Sequence, residues 1–240
     1  MNLPYWLFQA KLFPSLPFLI AEAKQIRESK PKLPPHSEKL ILNGGEKRLM
    51  VFGESTAAGV GASQVETTLA GHFKKKLGDE YSVYCLGKNG LRVQEANDFF
   101  HQNFWNPSPT QNGITLFLGA NDCFKLTSPK DYHRQLSELI HLFKKKLSPA
   151  WIYLADIPPV HLFPAFSSRM QRQLEIQRAY LQKEMKSIAQ RDKEIYFEPI
   201  SLDLSPDFFS QDQIHPSDLG YQKIAEFTIK GLKKSGWLEN

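Results

Sequence analysis

The sequence predicts one doubly wound α/β domain, and three observations predict it. Short apolar runs recur from residue 48 onward, helical patterns fill the intervals between them, and no internal repeat or second domain interrupts the alternation. The runs are 48–53 (RLMVFG), 81–86 (YSVYCL), 114–118 (ITLFL), 151–155 (WIYLA) and 195–198 (IYFE), which gives about five parallel strands. They are near-continuous rather than alternating, as expected where both sheet faces are covered by helices. The helical patterns lie near 66–77, 92–103, 130–146, 168–191 and 218–234. Lysine runs at 74–76, 144–146 and 233–234 fall near the ends of three of them, where cations complement the helix dipole.

A chain of 240 residues can bury a substantial core without disulfide or metal support. Its hydrophobic fraction of 41% and charged fraction of 23% exclude disordered, collagen-like and all-membrane classes. The net charge of +5 is modest and no aromatic-interleaved basic stripe accompanies it, so no nucleic-acid partner is expected. Cys85 and Cys123 sit in apolar runs read as strand ends and form no Cys-x-x-Cys pair. Buried free thiols are expected in preference to a disulfide, and with them a reducing, cytoplasmic compartment.

Residues 1–47 are read as an apolar N-terminal arm and linker, and 48–240 as the domain. The segment 3–20 (LPYWLFQAKLFPSLPFLI) is interrupted by Pro4, Lys11, Pro14 and Pro17. With no basic region ahead and no small-residue cleavage site behind, neither a secretory signal nor a spanning helix is expected. Lys24, Arg27, Lys30 and Lys32 follow. Two readings stand: an arm packed on the domain or on a second subunit, or peripheral contact of 3–20 with an anionic membrane surface. Residues 31–47, rich in proline and glycine, read as the linker.

In an open parallel sheet, ligands bind beyond the carboxyl ends of the strands, so the loops after each strand hold the candidate site. After the first comes Gly53-Glu54-Ser55-Thr56-Ala57-Ala58-Gly59. A serine there stands at a helix N-terminus, as a nucleophile beside free N–H groups or simply as a cap; both fit. The Gly-Lys-Ser/Thr of a phosphate loop is missing, and Gly59-Val60-Gly61 does not complete a dinucleotide fingerprint, which argues against a nucleotide binder. Gly119-Ala120-Asn121-Asp122 follows the third strand. Asn121 can donate to an oxyanion or close an Asx-turn. Ahead of the last helix, Asp212-Gln213-Ile214-His215-Pro216 places an acid three residues before a histidine that Pro216 keeps out of the helix. Such a pair can orient an imidazole as a general base, or be an ordinary surface pair. The other six histidines have no comparable setting.

Taken in order, Gly53–Ser55, Gly90, Gly119-x-Asn121 and Asp212-x-x-His215 resemble the conserved blocks of the SGNH hydrolase (GDSL-type esterase/lipase) superfamily, over roughly residues 48–235. The resemblance implies a three-layer α/β/α, flavodoxin-like sandwich. It implies Ser55 as nucleophile, His215 as base and Asp212 as its orienting acid. The N–H groups of Ser55 and Gly90 and the amide of Asn121 would form the oxyanion hole, with no metal or organic cofactor. The family usually has Asp where this chain has Glu54, and Gly87 competes with Gly90 for the second position. The loop 157–166 (IPPVHLFPAF) also resembles a segment of uncharacterised bacterial members of the superfamily. Its apolar character points to an acyl pocket with Val160, Phe163 and Phe166. The expected function is hydrolysis of short to medium acyl or lipid-derived esters, small molecules in either case. The alternatives are a carbohydrate acetyl-esterase or thioesterase on the same residues, or a binding module that has lost catalysis.

Overall fold

A computed structural model describes residues 4–104 and 110–239. Its strands are β1 (Lys39–Leu42), β2 (Lys47–Gly53), β3 (Tyr81–Gly87), β4 (Gly113–Phe117), β5 (Trp151–Leu154) and β6 (Ile195–Tyr196). Its helices are α1 (Tyr5–Leu12), α2 (Leu16–Ser29), α3 (Ser55–Ala58), α4 (Leu69–Leu77), α5 (Val93–Asn103), α6 (Ala120–Phe124), α7 (Pro129–Leu147), α8 (Ser168–Gln190) and α9 (Asp218–Lys234). One sheet runs in the order β1-β3-β2-β4-β5-β6. β2 to β6 are parallel, and only β1 is antiparallel, paired with β3 at the edge. This is a mixed α/β sheet with helices on both sides: α4 packs with α9, and α7 packs with α5 and α8.

The apolar runs form strands because both of their faces are covered. Every residue of β4 and β5 is buried. Phe52, fully buried, meets Phe143 of α7 edge-on at 5.1 Å and Phe100 of α5 at 6.2 Å, so one side chain joins the central strand to two helices. The helix starts are equally local. Thr68, Ser128, Ser167 and Ser217 each cap the following helix by accepting a backbone N–H three residues on. Thr68 also corrects the predicted helix 66–77: its extended backbone breaks the pattern into a turn at Val65–Thr67 and α4 proper.

Two readings of the N-terminal region change. Residues 39–42, placed in the linker, form edge strand β1; a four-residue strand with a leading lysine gives too short a pattern to register. The prolines that break up the arm in the sequence instead sit at helix starts. Pro4 caps α1, Pro14 lies in the 3-10 turn Phe13–Ser15 and Pro17 lies in the first turn of α2. A missing N–H costs nothing there. Phe8 and Leu12 are buried, and Tyr5 and Phe8 stack against Tyr180 of α8, so the arm packs on the domain. Leu3, the first residue of the arm segment, lies outside the described residues.

Both cysteines are buried free thiols. Cys123 lies on α6 rather than at a strand end. Burial pushes the Cys85 thiol up to about 12. Among the described residues no helix is long and apolar enough to cross a membrane, and no His, Cys, Asp and Glu side chains are grouped so that they could hold a metal ion.

Candidate active site

β2 lies between β3 and β4, so the strand order reverses there, and in open parallel sheets ligands bind beyond the carboxyl ends of the strands at such a point. Gly53 closes that end of the sheet. A Cβ there would collide with the Phe117 carbonyl oxygen, and without it Glu54 N–H reaches that carbonyl at 2.9 Å. The chain then turns, and Ser55, half-buried, opens α3. As the first residue of a helix it has no intrahelical partner for its N–H.

Glu54 explains why the next loop sits where it does. Its buried carboxylate accepts from Ala120 N–H and Asn121 N–H, each at 2.9 Å, and from the Asn121 side-chain amide at 2.6 Å. One amide hydrogen of Asn121 is thereby held. Asp122 fastens the third element. It accepts from Val93 N–H at the start of α5 (3.1 Å) and from the Thr127 hydroxyl (2.8 Å), drawing the 88–92 turn toward Asn121.

That turn separates the two competing glycines. Gly87 ends β3 and its N–H donates to the Glu38 carbonyl at 2.8 Å, so it is not free for a ligand. Gly90 is exposed, with φ +79, in a turn closed by Leu91 N–H on the Lys88 carbonyl.

The histidine comes from the other direction. Asp212 Oδ2 meets His215 Nδ1 at 2.5 Å, while Oδ1 accepts from Ile214 N–H and His215 N–H at 2.9 Å and from the Ser210 hydroxyl at 3.0 Å. Burial pushes the Asp212 carboxyl up, but its hydrogen bonds and the imidazole charge outweigh this and hold it at about 2. Its ionised form therefore orients the ring. The histidine segment is tied to the serine segment at three points. Ser63 donates from N–H (2.8 Å) and hydroxyl (2.6 Å) to Asp218; Tyr221 donates to the Val60 carbonyl at 2.8 Å; and Gly61, where a Cβ would strike Pro216 O, lies against His215. Among the described residues the Ser55 hydroxyl makes no hydrogen bond, to His215 or to any other group. Catalytic contacts in ligand-free enzymes commonly tighten only when substrate is bound.

The structure thus brings the Ser55, Asn121 and Asp212–His215 segments to one end of the sheet, with Gly90 on a turn held beside them. The pocket residues are redistributed. Val160 is fully buried and Phe163 is 6% exposed, since the proline-stiffened loop packs on α8, where Arg178 holds its Ile157 and Pro158 carbonyls, instead of standing open. Phe163 meets Phe209 edge-on at 5.5 Å, and half-buried Phe166 packs on Phe124 at 5.5 Å. A depression lined by Lys76, Glu226, Ile229 and lysines of α9 lies toward the C-terminal ends of α4 and α9, at the opposite end of the sheet. The contributions of Glu54, Asp122 and Tyr221 escaped sequence reasoning. The Asn121-Asp122 pair was the available signal for the second.

The role of Glu54 can be measured. Burial pushes its carboxyl up to about 7, against the N–H bonds that lower it, so the folded protein keeps a proton that the unfolded chain releases near 4.5. Stability from this group is full below the lower value and lost as pH rises through the upper one. Glu54→Gln keeps the one acceptor and one donor of the protonated acid but cannot titrate, so little change in stability is expected at pH 5. Urea unfolding should show the wild type losing stability relative to the variant between pH 5 and 8; a difference independent of pH would remove Glu54 as the titrating group.

A doubly wound sheet with a polar site at its switch point is the architecture of many small α/β hydrolases, and comparison with known proteins makes the class specific. Residues 51–223 match the model of the GDSL-like lipase/acylhydrolase family, and the chain belongs to that family. Its fold is that of solved esterases. The lipase/acylhydrolase from Enterococcus faecalis matches with a TM-score of 0.61 at 17% identity, over 79% of this chain and 96% of that one. A carbohydrate esterase family 2 enzyme with a carbohydrate binding domain, from Corynascus thermopiles (Myceliophthora fergusii), matches with a TM-score of 0.62 at 15% identity, over 82% and 68%. An acetyl xylan esterase from Geobacillus stearothermophilus matches with a TM-score of 0.56 at 15% identity, over 79% and 96%. No curated protein sequence matches the chain significantly.

Proposed function

We propose that this hydrolase is a serine esterase that cleaves carboxylic esters through an acyl-enzyme on Ser55. The observation that carries the reading is the Asp212–His215 pair, bonded at 2.5 Å and packed on the loop that follows Ser55. With Nδ1–H held by Asp212, His215 Nε2 is free to take the Ser55 proton as the oxygen attacks the ester carbonyl. The oxyanion is met by the N–H groups of Ser55 and Gly90 and by the second amide hydrogen of Asn121. Each such donor contributes roughly 3–4 kcal/mol to the transition state. The imidazolium then protonates the departing alcohol. Water, deprotonated by the same imidazole, attacks the acyl carbonyl; acid leaves and Ser55 regains its proton. A fluorophosphonate probe tests the assignment directly. It should modify Ser55 and no other serine, whereas a binding module would stay unlabelled.

For the acyl part, the closed positions of Val160 and Phe163 support the short end of the short-to-medium range, with Phe166 as the wall left accessible. Across a p-nitrophenyl series from acetate to decanoate, kcat/KM is expected to peak at or below six carbons. The second reading, a carbohydrate acetyl-esterase, draws on the same closed wall and on the acetyl xylan esterase among the fold's relatives. Release of acetate from acetylated xylo-oligosaccharides faster than from p-nitrophenyl acetate would favour it.

A further inference from the structure

The N-terminal arm carries two faces. Residues 5–12, 13–15 and 16–29 are helical in succession, and the residues at the two junctions keep right-handed dihedrals, so the arm winds almost as one helix. Phe8, Leu12, Leu19, Glu22 and Ile26 recur at spacings of three, four or seven and meet the domain. The first two are buried, Leu19 and Ile26 pack on the core, and Glu22 accepts from the Ser167 N–H (2.8 Å) and hydroxyl (2.7 Å). The opposite face is set by Trp6, Phe13 and Ile20, seven residues apart, with Lys24 and Arg27 continuing the same stripe. Trp6 is 65% exposed, Phe13 74% and Ile20 66%. Phe18, two residues from Ile20 and so off the stripe, is 62% exposed and lies under Arg169 at 5.2 Å. Four large apolar side chains in the open along one 25-residue arm are more than scattered surface hydrophobics account for.

We propose that this outer face is a membrane-docking surface that seats on anionic phospholipid, with Trp6, Phe13 and Ile20 among the headgroups and upper acyl chains. Charge selects the partner. From residue 4 to 32 the arm holds five cations (Lys11, Lys24, Arg27, Lys30 and Lys32) against two carboxylates, Glu22 and Glu28. Glu22 is turned inward to Ser167. Aromatic side chains with flanking lysine and arginine suit the bilayer interface, where rings sit at headgroup level and cations meet lipid phosphates. The arm is short of the length and hydropathy needed to span, which leaves it in the plane of the surface.

Docking there would bring the site to the lipid. After Glu22 meets Ser167, Lys30 donates to Gln213, two residues from His215, at 2.5 Å, and Ser37 binds the Ala57 and Ala58 carbonyls of α3. The arm region therefore runs past the site segments, from the α8 side to the helix opened by Ser55. Resting on the proposed esterase reading, the substrate class would be the esters of membrane amphiphiles reached at headgroup level.

Cosedimentation of the full chain, as Ser55→Ala so that no lipid is consumed, with vesicles of phosphatidylglycerol or of phosphatidylcholine tests the surface. Binding to phosphatidylglycerol vesicles is expected. It should weaken about tenfold or more in Trp6→Ser/Phe13→Ser/Ile20→Ser, and weaken with added salt and in Lys24→Glu/Arg27→Glu. Unfolding midpoints should not change, since these side chains point outward. Absence of binding, equal binding by the variants, or a concentration-dependent dimer that the triple variant disperses would each overturn the proposal. Fluorophosphonate labelling of the wild-type protein reads the esterase assignment separately: labelling without vesicle binding defeats the surface alone, and binding without labelling defeats the esterase alone.

Discussion

Ser55→Ala is expected to lower kcat on p-nitrophenyl acetate on the order of a millionfold while leaving the unfolding midpoint unchanged. Both halves follow from the site. The hydroxyl makes no hydrogen bond among the described residues, so its removal strands no partner and opens little space. On the proposed mechanism its loss would remove the atom that attacks the carbonyl and leave His215 nothing to deprotonate except water. A residual rate above the uncatalysed reaction is expected, because the proposed oxyanion donors, the Asn121 amide and the N–H groups, would remain in the variant. Burst kinetics provide a second readout: the wild type should release nitrophenol ahead of steady state if deacylation limits, and the variant should show no burst. Turnover by the variant within tenfold of wild type would mean that Ser55 is not the nucleophile.

Asp212→Asn should rank second, with kcat lowered on the order of ten-thousandfold. Asp212 Oδ1 is committed to the N–H groups of Ile214 and His215, so an asparagine keeps its oxygen there and turns its amide nitrogen toward His215 Nδ1. A donor at that point favours the imidazole tautomer with hydrogen on Nε2, which can no longer accept the serine proton. The substitution also has a signature in stability. The carboxyl is held at about 2 in the fold, against an ordinary 3.8. A depressed carboxylate adds stability that is present above the higher value and lost as pH falls through the lower, here roughly 2 kcal/mol. Acid titration of the folded protein should show that loss between about pH 4 and 2, and Asp212→Asn should lack it. An Asp212→Asn protein with normal turnover would place the imidazole's orienting partner elsewhere.

These effects depend on groups of unequal legibility. Ser55, Asn121, Asp212 and His215 could be proposed from a one-dimensional pattern because each follows a strand or precedes a helix, and that placement is written in local sequence. The partnership of Asp212 with His215 was legible for the same reason: three residues separate them, and Pro216 holds the turn. Glu54 was legible only as a departure from the family pattern. Its three donors all lie on residues 120 and 121, and nothing near residue 54 announces them. That the Gly87 N–H is already engaged likewise needed the Glu38 carbonyl, brought alongside by the antiparallel edge strand.

By itself, then, the sequence determined the number and kind of parallel strands, the helices between them and the loops able to hold chemistry. Periodicity and capping are short-range properties, carried by neighbours within a turn or two. Tertiary structure decided what depends on partners far apart in the chain. Such are the sixth strand, the inward and outward faces of the arm, the closure of Val160 and Phe163 into the core, and the carboxylate that sets Asn121. Each is a balance between burial and hydrogen bonding, settled only when segments tens to more than a hundred residues apart come into contact.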